Sequence, residues 1–341
     1  DIRELEWLSS PPAAALSQAS DTLSSLGAIV GDYQKLSVTA HGEALSEFPA
    51  HPRISHMLLK SVDLGVAKLA AQLACLLLEK DPINRKLYGA DVHIRLQWLT
   101  ADGSNSRAGA SEFSAANRNR NLIGRMNKVV DQFYRRLSKS PPQESPATNM
   151  AQATDSLCDG DESQALAYLL AFAYPERIAQ RIEQSHYDRF VSYLLSNGRR
   201  ARLPIDDPLS SSDYLVVAQL GGHVGDTVDN IYLAGSISKE RLLDPELGLR
   251  KTVERCEWSS VNGRFVAEEL TMIGSITLQR ATLKSVDQSL RCQSLLQFIT
   301  SKGLGLFNID EDCRQFMARA EYYREHSPEA DFPEYREASL L

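Results

Sequence analysis

What most limits the fold of this chain is a change in hydrophobic period near Gln184. Before it, apolar residues recur every three or four positions; beyond it they alternate or run in short β-rich stretches. A chain with the two periods in separate blocks folds as an α+β protein of several domains. Its 341 residues, 43% of them apolar, are enough for two or three buried cores.

The helical half divides further. Pro11-Pro12 open a helix with apolar positions at Leu16, Ala19, Leu23 and Leu26, and Gly27 suits its C-terminal cap. Ala28-Ile29-Val30, the turn-like Gly31-Asp32 and Leu36-Ser37-Val38 then read as a small hairpin, with Thr39 as the N-cap of a second helix. Helix, hairpin and helix in this order predict a winged-helix unit over residues 1–50. Residues 51–182, with Ile54, Met57, Leu58, Leu69, Leu73, Leu76 and later Leu166, Leu169 and Leu170 at helical spacing, predict a helical bundle. The helical reading runs on through Ile178 to Arg181. Within it, residues 138–161 contain Pro141-Pro142, Pro146 and many Ser, Thr, Gln and Asn, so a mobile loop is expected there.

In the second half the β-type runs are Phe190 to Leu195, Tyr214 to Leu220, Val228 to Ala234, Val253 to Trp258, Arg264 to Leu270 and Ile273 to Leu278. The pairs Asn197-Gly198 and Asn262-Gly263 sit between such runs and signal hairpins. An antiparallel barrel of five or six strands over residues 183–283, of the OB-fold type, closes these strands without free edges. Residues 284–341 return to a helical pattern, and the last 35 carry nine acidic and four basic side chains.

Five widely spaced cysteines, Cys75, Cys158, Cys256, Cys292 and Cys313, with no C-x-x-C pair, fit reduced thiols in a cytoplasmic protein. The longest apolar run, Leu69 to Leu78, is about half of the ~20 residues a membrane span needs, so no membrane partner is expected. The first residue is Asp1 and the last four, Ala338-Ser339-Leu340-Leu341, look like a helix opening; both ends read as cuts in a longer chain.

Phosphate-cradling strings of the form G-x-x-x-x-G-K-[ST] do not occur, so the segment is expected to have no catalytic residues, no cofactor and no metal of its own. Gly221-Gly222-His223-Val224-Gly225 lacks the Lys that would follow such a loop and reads as a turn. His41, His51 and His56 are spaced by ten and five with no Cys near, a pattern for surface or capping histidines rather than zinc ligands. Glu268-Glu269 point to opposite faces if they lie on a strand, so they do not form a carboxylate pair.

The arginines are more informative. Arg118, Arg125, Lys128 and Arg135 form a stripe beside the apolar face of a helix read over Ser111 to Arg136; either it meets phosphates or it is a solvated face. Arg177, Arg181, Arg189, Arg199, Arg200 and Arg202 fall within 26 residues that contain no Lys, a composition suited to bidentate phosphate contacts. Tyr187, Phe190 and Tyr193 interleave with them, as stackers on bases or as alternating core of the first barrel strand.

Beyond this residue-level reading, Glu6-Trp7-Leu8-Ser9-Ser10-Pro11-Pro12, Leu26-Gly27-Ala28-Ile29, Leu36-Ser37-Val38-Thr39-Ala40-His41-Gly42 and Phe48-Pro49-Ala50-His51-Pro52-Arg53 resemble the helicase-associated region that follows the motors of DEAH-box helicases. Ala171-Phe172-Ala173-Tyr174-Pro175-Glu176-Arg177, Tyr193-Leu194-Leu195-Ser196-Asn197-Gly198 and Lys302-Gly303-Leu304-Gly305-Leu306 are similar to its bacterial HrpB branch. The resemblance implies the accessory half of an ATP-dependent 3′-to-5′ RNA helicase: winged helix, ratchet-like bundle, OB-fold and the start of a C-terminal helical region. The implied partners are single-stranded RNA, with DNA as a second strand type, and two RecA-like motors of the parent chain, which would hold ATP and Mg²⁺. Arg177, Arg181 and the Arg199–Arg202 group are carried to the strand tunnel by location alone. Arg85 to Asp161 follows the family pattern least, so the Arg118–Arg135 stripe is left to face a strand, a partner or solvent. A scaffold that docks proteins without binding nucleic acid is the alternative.

Overall fold

The computed structural model describes residues 6–31, 36–101, 120–139, 162–182, 189–222, 227–259, 263–283, 287–303 and 309–327. These fall into two units, Asp1–Arg250 with Gly274–Ile276, and Lys251–Ile273 with Thr277–Leu341.

The first unit opens with helix α1 (Ala13–Ser25), strands β1 (Ile29–Val30) and β2 (Ser37–Val38), paired antiparallel, and helix α2 (Ala40–Ser46). The predicted order of helix, hairpin and helix is therefore present. Thr39 fixes the start of α2: its hydroxyl accepts from the Gly42 amide at 3.0 Å and donates to the Gly27 carbonyl at 2.7 Å.

Among the described residues, five longer helices follow or interleave: α3 (Pro52–Asp63), α4 (Ala67–Leu78), α6 (Val92–Thr100), α7 (Arg120–Leu137) and α8 (Glu162–Ala173), with the short α5 (Arg85–Tyr88) between α4 and α6. Every residue of α8 from Ala165 to Ala173 is buried, which makes it the central helix, and α3, α4 and α6 pack around it. A helix apolar on all sides is stable only in such a position. The proposed loop at 138–161 lies, from Ser140 on, outside the described residues, as do Ser111 to Asn119.

The histidines depart from expectation in one respect. His51 caps α3, its Nδ1 accepting from the Arg53 amide at 3.3 Å. His41 and His56 instead meet edge-on at the α2–α3 contact, Nε2 to Nδ1 2.7 Å apart, beside Phe172. Burial, then the facing His41 and Lys60, push the His56 pKa down from 6.5 to about 3. Because the folded value lies below the unfolded one, the contribution of neutral His56 is complete above about pH 6.5 and is lost as pH falls toward 3. Urea unfolding at pH 5 is expected to show about 2 kcal/mol less stability from this group than at pH 7.5. The His56→Gln variant should flatten that slope; a slope equal to the parent's would exclude His56 as its source.

Two strands correct the sequence reading. The helical pattern does not reach Arg181: Pro175–Arg177 form a single 3₁₀ turn and Ile178–Arg181 is β3, the first strand of a barrel. Pro175 cannot continue a helix, and beyond the turn Ile178 and Ala179 are buried among strands. The second omission is β5 (Arg200–Pro204), too arginine-rich to look apolar. With β4 (Phe190–Leu195), β6 (Tyr214–Gly221) and β7 (Val228–Ser236) they close in the order β3-β4-β5-β7-β6, antiparallel except for the parallel β5–β7 pair. The barrel core is Val191, Tyr193, Leu195, Ala201, Leu203, Leu215, Val217 and Ile231. Asn197-Gly198 makes the β4–β5 turn, with Gly198 at φ 85°. The barrel is thus complete by Ser236, so the expected span of 183–283 is too long at one end and starts too late at the other.

The second unit uses the remaining β-type runs. Strands β8 (Lys251–Ser259), β9 (Arg264–Ile273) and β10 (Ile276–Thr282) form a three-stranded sheet of order β10-β9-β8. Helix α10 (Gln288–Lys302), numbered after the short α9 (Lys239–Leu242) of the first unit, packs on β8 through Phe298, which meets Trp258 and Phe265. Helix α11 (Glu311–His326) completes this unit. Glu268 and Glu269 do sit consecutively on β9. Cys75, Cys256, Cys292 and Cys313 are free thiols, and Cys158 lies outside the described residues. No helix among the described residues is long and apolar enough to cross a membrane.

Candidate nucleic-acid interface

Strand alternation decides where the arginines point. Ala201 and Leu203 face the barrel interior, so Arg200 and Arg202 face out. The register places Arg202 opposite Ser192 on β4 and Asn230 on β7, and Arg200 opposite Leu194 and Val228. Arg202 donates from Nε to Asn230 Oδ1 at 2.9 Å, and its guanidinium carbon sits 4.8 Å from the centre of the Phe190 ring. Phe190 is 38% exposed, so it is a surface ring under a cation, whereas Tyr193 points inward. The Tyr193 hydroxyl reaches the Leu209 and Ser212 carbonyls at 3.2 and 3.1 Å, which removes it from any stacking role. Tyr187 is outside the described residues.

The remaining members of the cluster separate into two kinds. Arg181 and Arg189 are exposed at the ends of β3 and β4, and Arg199, at the β4–β5 turn, pairs with Asp229 at 2.8 Å. Arg177 is committed to the architecture. Its Nη1 donates to the Ala218 carbonyl at 2.9 Å, its Nε lies 3.4 Å from Glu176, and its guanidinium sits 4.8 Å from the Tyr174 ring centre. Arg53, on α3, reaches the other oxygen of Glu176 at 2.8 Å and the Ala173 carbonyl at 3.1 Å. The Pro175–Arg177 turn between central helix and barrel is thereby clamped from both sides.

The α7 stripe is placed differently from its reading. Met126, Val130, Phe133 and Leu137 form the buried seam against α4. At about 100° per residue, Lys128 and Arg135 lie roughly 170° from the centre of that seam, on the opposite face and not beside it. Arg125, Lys128 and Arg135 are exposed, with Arg125 3.6 Å from Glu79; Arg118 is outside the described residues. The stripe belongs to a helix packed on α4 and α3, so the structure does not bring it onto the barrel face.

Sequence reasoning missed two residues on that face. Tyr232, two positions beyond Asn230 on β7, is 37% exposed, and Arg85 from α5 places its guanidinium 4.3 Å from the centre of the Tyr232 ring. Tyr232 stands at a register shift between β6 and β7, where simple alternation does not hold, and Arg85, over a hundred residues away in sequence, carried no local signal. Among the described residues, no group of three or more His, Cys, Asp and Glu is arranged to hold a metal ion. The face carries guanidinium groups, two exposed aromatic rings and the Asn230 amide, with the Asp229 carboxylate against Arg199.

No family model matches the chain. Along all 341 residues it is 25% identical to the ATP-dependent RNA helicase HrpB of Escherichia coli strain K12, covering 36% of that protein, in its C-terminal part. Two solved structures have the same fold: the E. coli DExH-box NTPase HrpB, with TM-score 0.63 at 23% identity, and the Escherichia coli DEAH/RHA helicase HrpB, with TM-score 0.61 at 22% identity. They match 100% and 99% of this chain, each over 36% of the solved one. The chain thus spans about a third of the length of the relatives it matches.

Proposed function

We propose that this chain is the accessory portion of an HrpB-type ATP-dependent helicase, and that it holds single-stranded nucleic acid on the outer face of β4, β5 and β7. The observation that carries the reading is the Arg202 guanidinium, set over Phe190 and tied to Asn230, next to the exposed Arg200. Arg200 and Arg202 meet phosphates, Phe190 meets a base, and neither contact reads sequence. We read the barrel as OB-type, where the face of the second and third strands is the usual oligonucleotide platform. The helix–hairpin–helix is read as a winged helix and residues 51–173 as a ratchet-like bundle. ATP hydrolysis belongs to motors outside this chain; the present residues supply grip.

Coupling has a physical route within the first unit. The Ala90 carbonyl accepts from the Ala234 amide of β7 at 2.9 Å, and the Ala90 amide donates to Asp207 at 2.9 Å. Displacement of the helices is thereby carried to the strand that holds Asn230, which suits a part that converts motor closure into directed movement.

The test is fluorescence anisotropy of a labelled single-stranded RNA against the chain across a salt series. Alanine at both Arg200 and Arg202 should lower the slope of log affinity against log salt by roughly 0.7 for each lost phosphate contact. Alanine at Arg125, Lys128 and Arg135 together should leave it unchanged. The reverse outcome would move the strand to α7, and no binding by the parent chain would favour a protein-docking scaffold.

A further inference from the structure

We infer that Arg85 and Tyr232 form a second base-stacking station, one nucleotide along from the Phe190–Arg202 pair, supplied jointly by the helical region and the barrel. The inference rests on the barrel-face reading above and extends it to residues which that reading does not use.

Asn230 and Tyr232 flank the buried Ile231 on β7, with Tyr232 at the register shift where Gln219 pairs with Leu233 and Leu220 with Ile231. The Tyr232 ring is exposed, and the two positions lie no more than about 7 Å apart along the chain. An extended single strand covers that distance with one nucleotide. Arg202 is bonded to Asn230, and Arg85 sits over Tyr232, so two guanidinium groups backed by aromatic rings follow one another on one face. The position of the Tyr232 ring is set from below by Gly221, which pairs with Asn230 across β6 and β7. A Cβ at Gly221 would lie 2.3 Å from Tyr232 Cε2, so any larger residue would lift the ring away from the sheet.

One side of the ring is thus against β6 and the other is under Arg85. A base therefore has to stack on the guanidinium rather than on the tyrosine. Planar guanidinium groups do stack on bases, and a backing ring restricts the side chain before the strand arrives. Arg85 is partly withdrawn from water, with the carboxylates of Asp207 and Asp81 and the like charge of Arg95 all near enough to act on it. Arg85 should accordingly contribute more through its plane than through a phosphate contact. That distinguishes it from the exposed Arg200.

The experiment uses the full chain, a labelled oligouridylate, and the same oligonucleotide with one abasic position moved along its length. Arg85→Ala should weaken binding of the intact strand about tenfold, with little change in salt slope. Arg85→Lys, which keeps the charge but not the plane, should lose nearly as much. At one position the abasic strand should bind the parent about tenfold more weakly yet bind Arg85→Ala no worse than the intact strand does. Should Arg85→Ala perturb folding in urea, Tyr232→Phe against Tyr232→Leu repeats the comparison, with only the latter expected to weaken binding. If Arg202→Ala weakens binding while the Arg85 and Tyr232 variants bind as the parent does, the second station is wrong and the barrel-face reading stands. If the parent binds no strand, both fall.

Discussion

Alanine at Arg95 is expected to destabilise the first unit by about 3 kcal/mol, the largest effect foreseen for any single side chain here. Arg95 lies on α6 and is 1% exposed, yet it is a cation. Its Nη2 meets Asp81 at 2.8 Å, and its Nη1 donates to the Gly89 and Asp91 carbonyls at 2.7 and 3.1 Å. Those carbonyls flank Ala90, the residue bonded to both Asp207 and β7. Truncation leaves the carbonyls without their donor, opens a cavity, and frees the segment that joins helices to barrel. Asp81, 30% exposed, regains water, which keeps the loss below the upper range for a broken buried pair. Urea unfolding measures it directly, and a loss under about 1 kcal/mol would mean that Ala90 is held in place by other contacts.

Gly42→Ala should cost a similar amount, about 3 kcal/mol, although it adds only one methyl group. Gly42 is buried in the first turn of α2, where its added Cβ would lie 2.1 Å from the Ala28 carbonyl oxygen and 2.9 Å from Val38 Cγ1. The exposed Val38 side chain can turn aside, but the carbonyl cannot retreat freely. Ala28 O already accepts from the Thr39 amide at 3.0 Å, and Thr39 Oγ1 binds the adjacent Gly27 carbonyl. The helix start must shift away from the hairpin, breaking the Thr39 cap as it goes. The damage should be local. Hydrogen exchange is expected to quicken over residues 13–48 while the barrel amides keep their protection, and uniform loss across the unit would show instead that the two parts unfold together.

Both sites illustrate how much was legible in advance. The Thr39 cap was readable because capping is a matter of adjacent residues, and Gly42 was visible within a recognised string without its reason. The reason is a through-space approach to Ala28, fourteen residues earlier. Arg95 carried no signal at all, since an arginine in a helix is ordinarily a solvated one. On the barrel, the outward set of Arg200 and Arg202 followed from alternation once β5 was known to be a strand, but five residues with two arginines and a proline do not announce one. Phe190 and Tyr193 show the same limit. They are three apart, so alternation puts them on opposite faces, and only the pairing register tells which face is the core.

By itself the amino-acid sequence determined the change from helical to β-type elements, the Asn197-Gly198 turn position, the helix–hairpin–helix order at the start and the absence of a phosphate-cradling string; Asn262 lies outside the described residues. Each of these rests on residues within a turn or two of one another, where backbone sterics and apolar spacing act directly. The tertiary structure decided that the chain turns into β-structure at Ile178, that the barrel closes by Ser236, and that later strands build a separate sheet. It also decided which arginines are spent on architecture, as Arg53, Arg95 and Arg177 are, and which face outward. A guanidinium has the same local propensity in either role; its partners, brought together from distant segments, select between them.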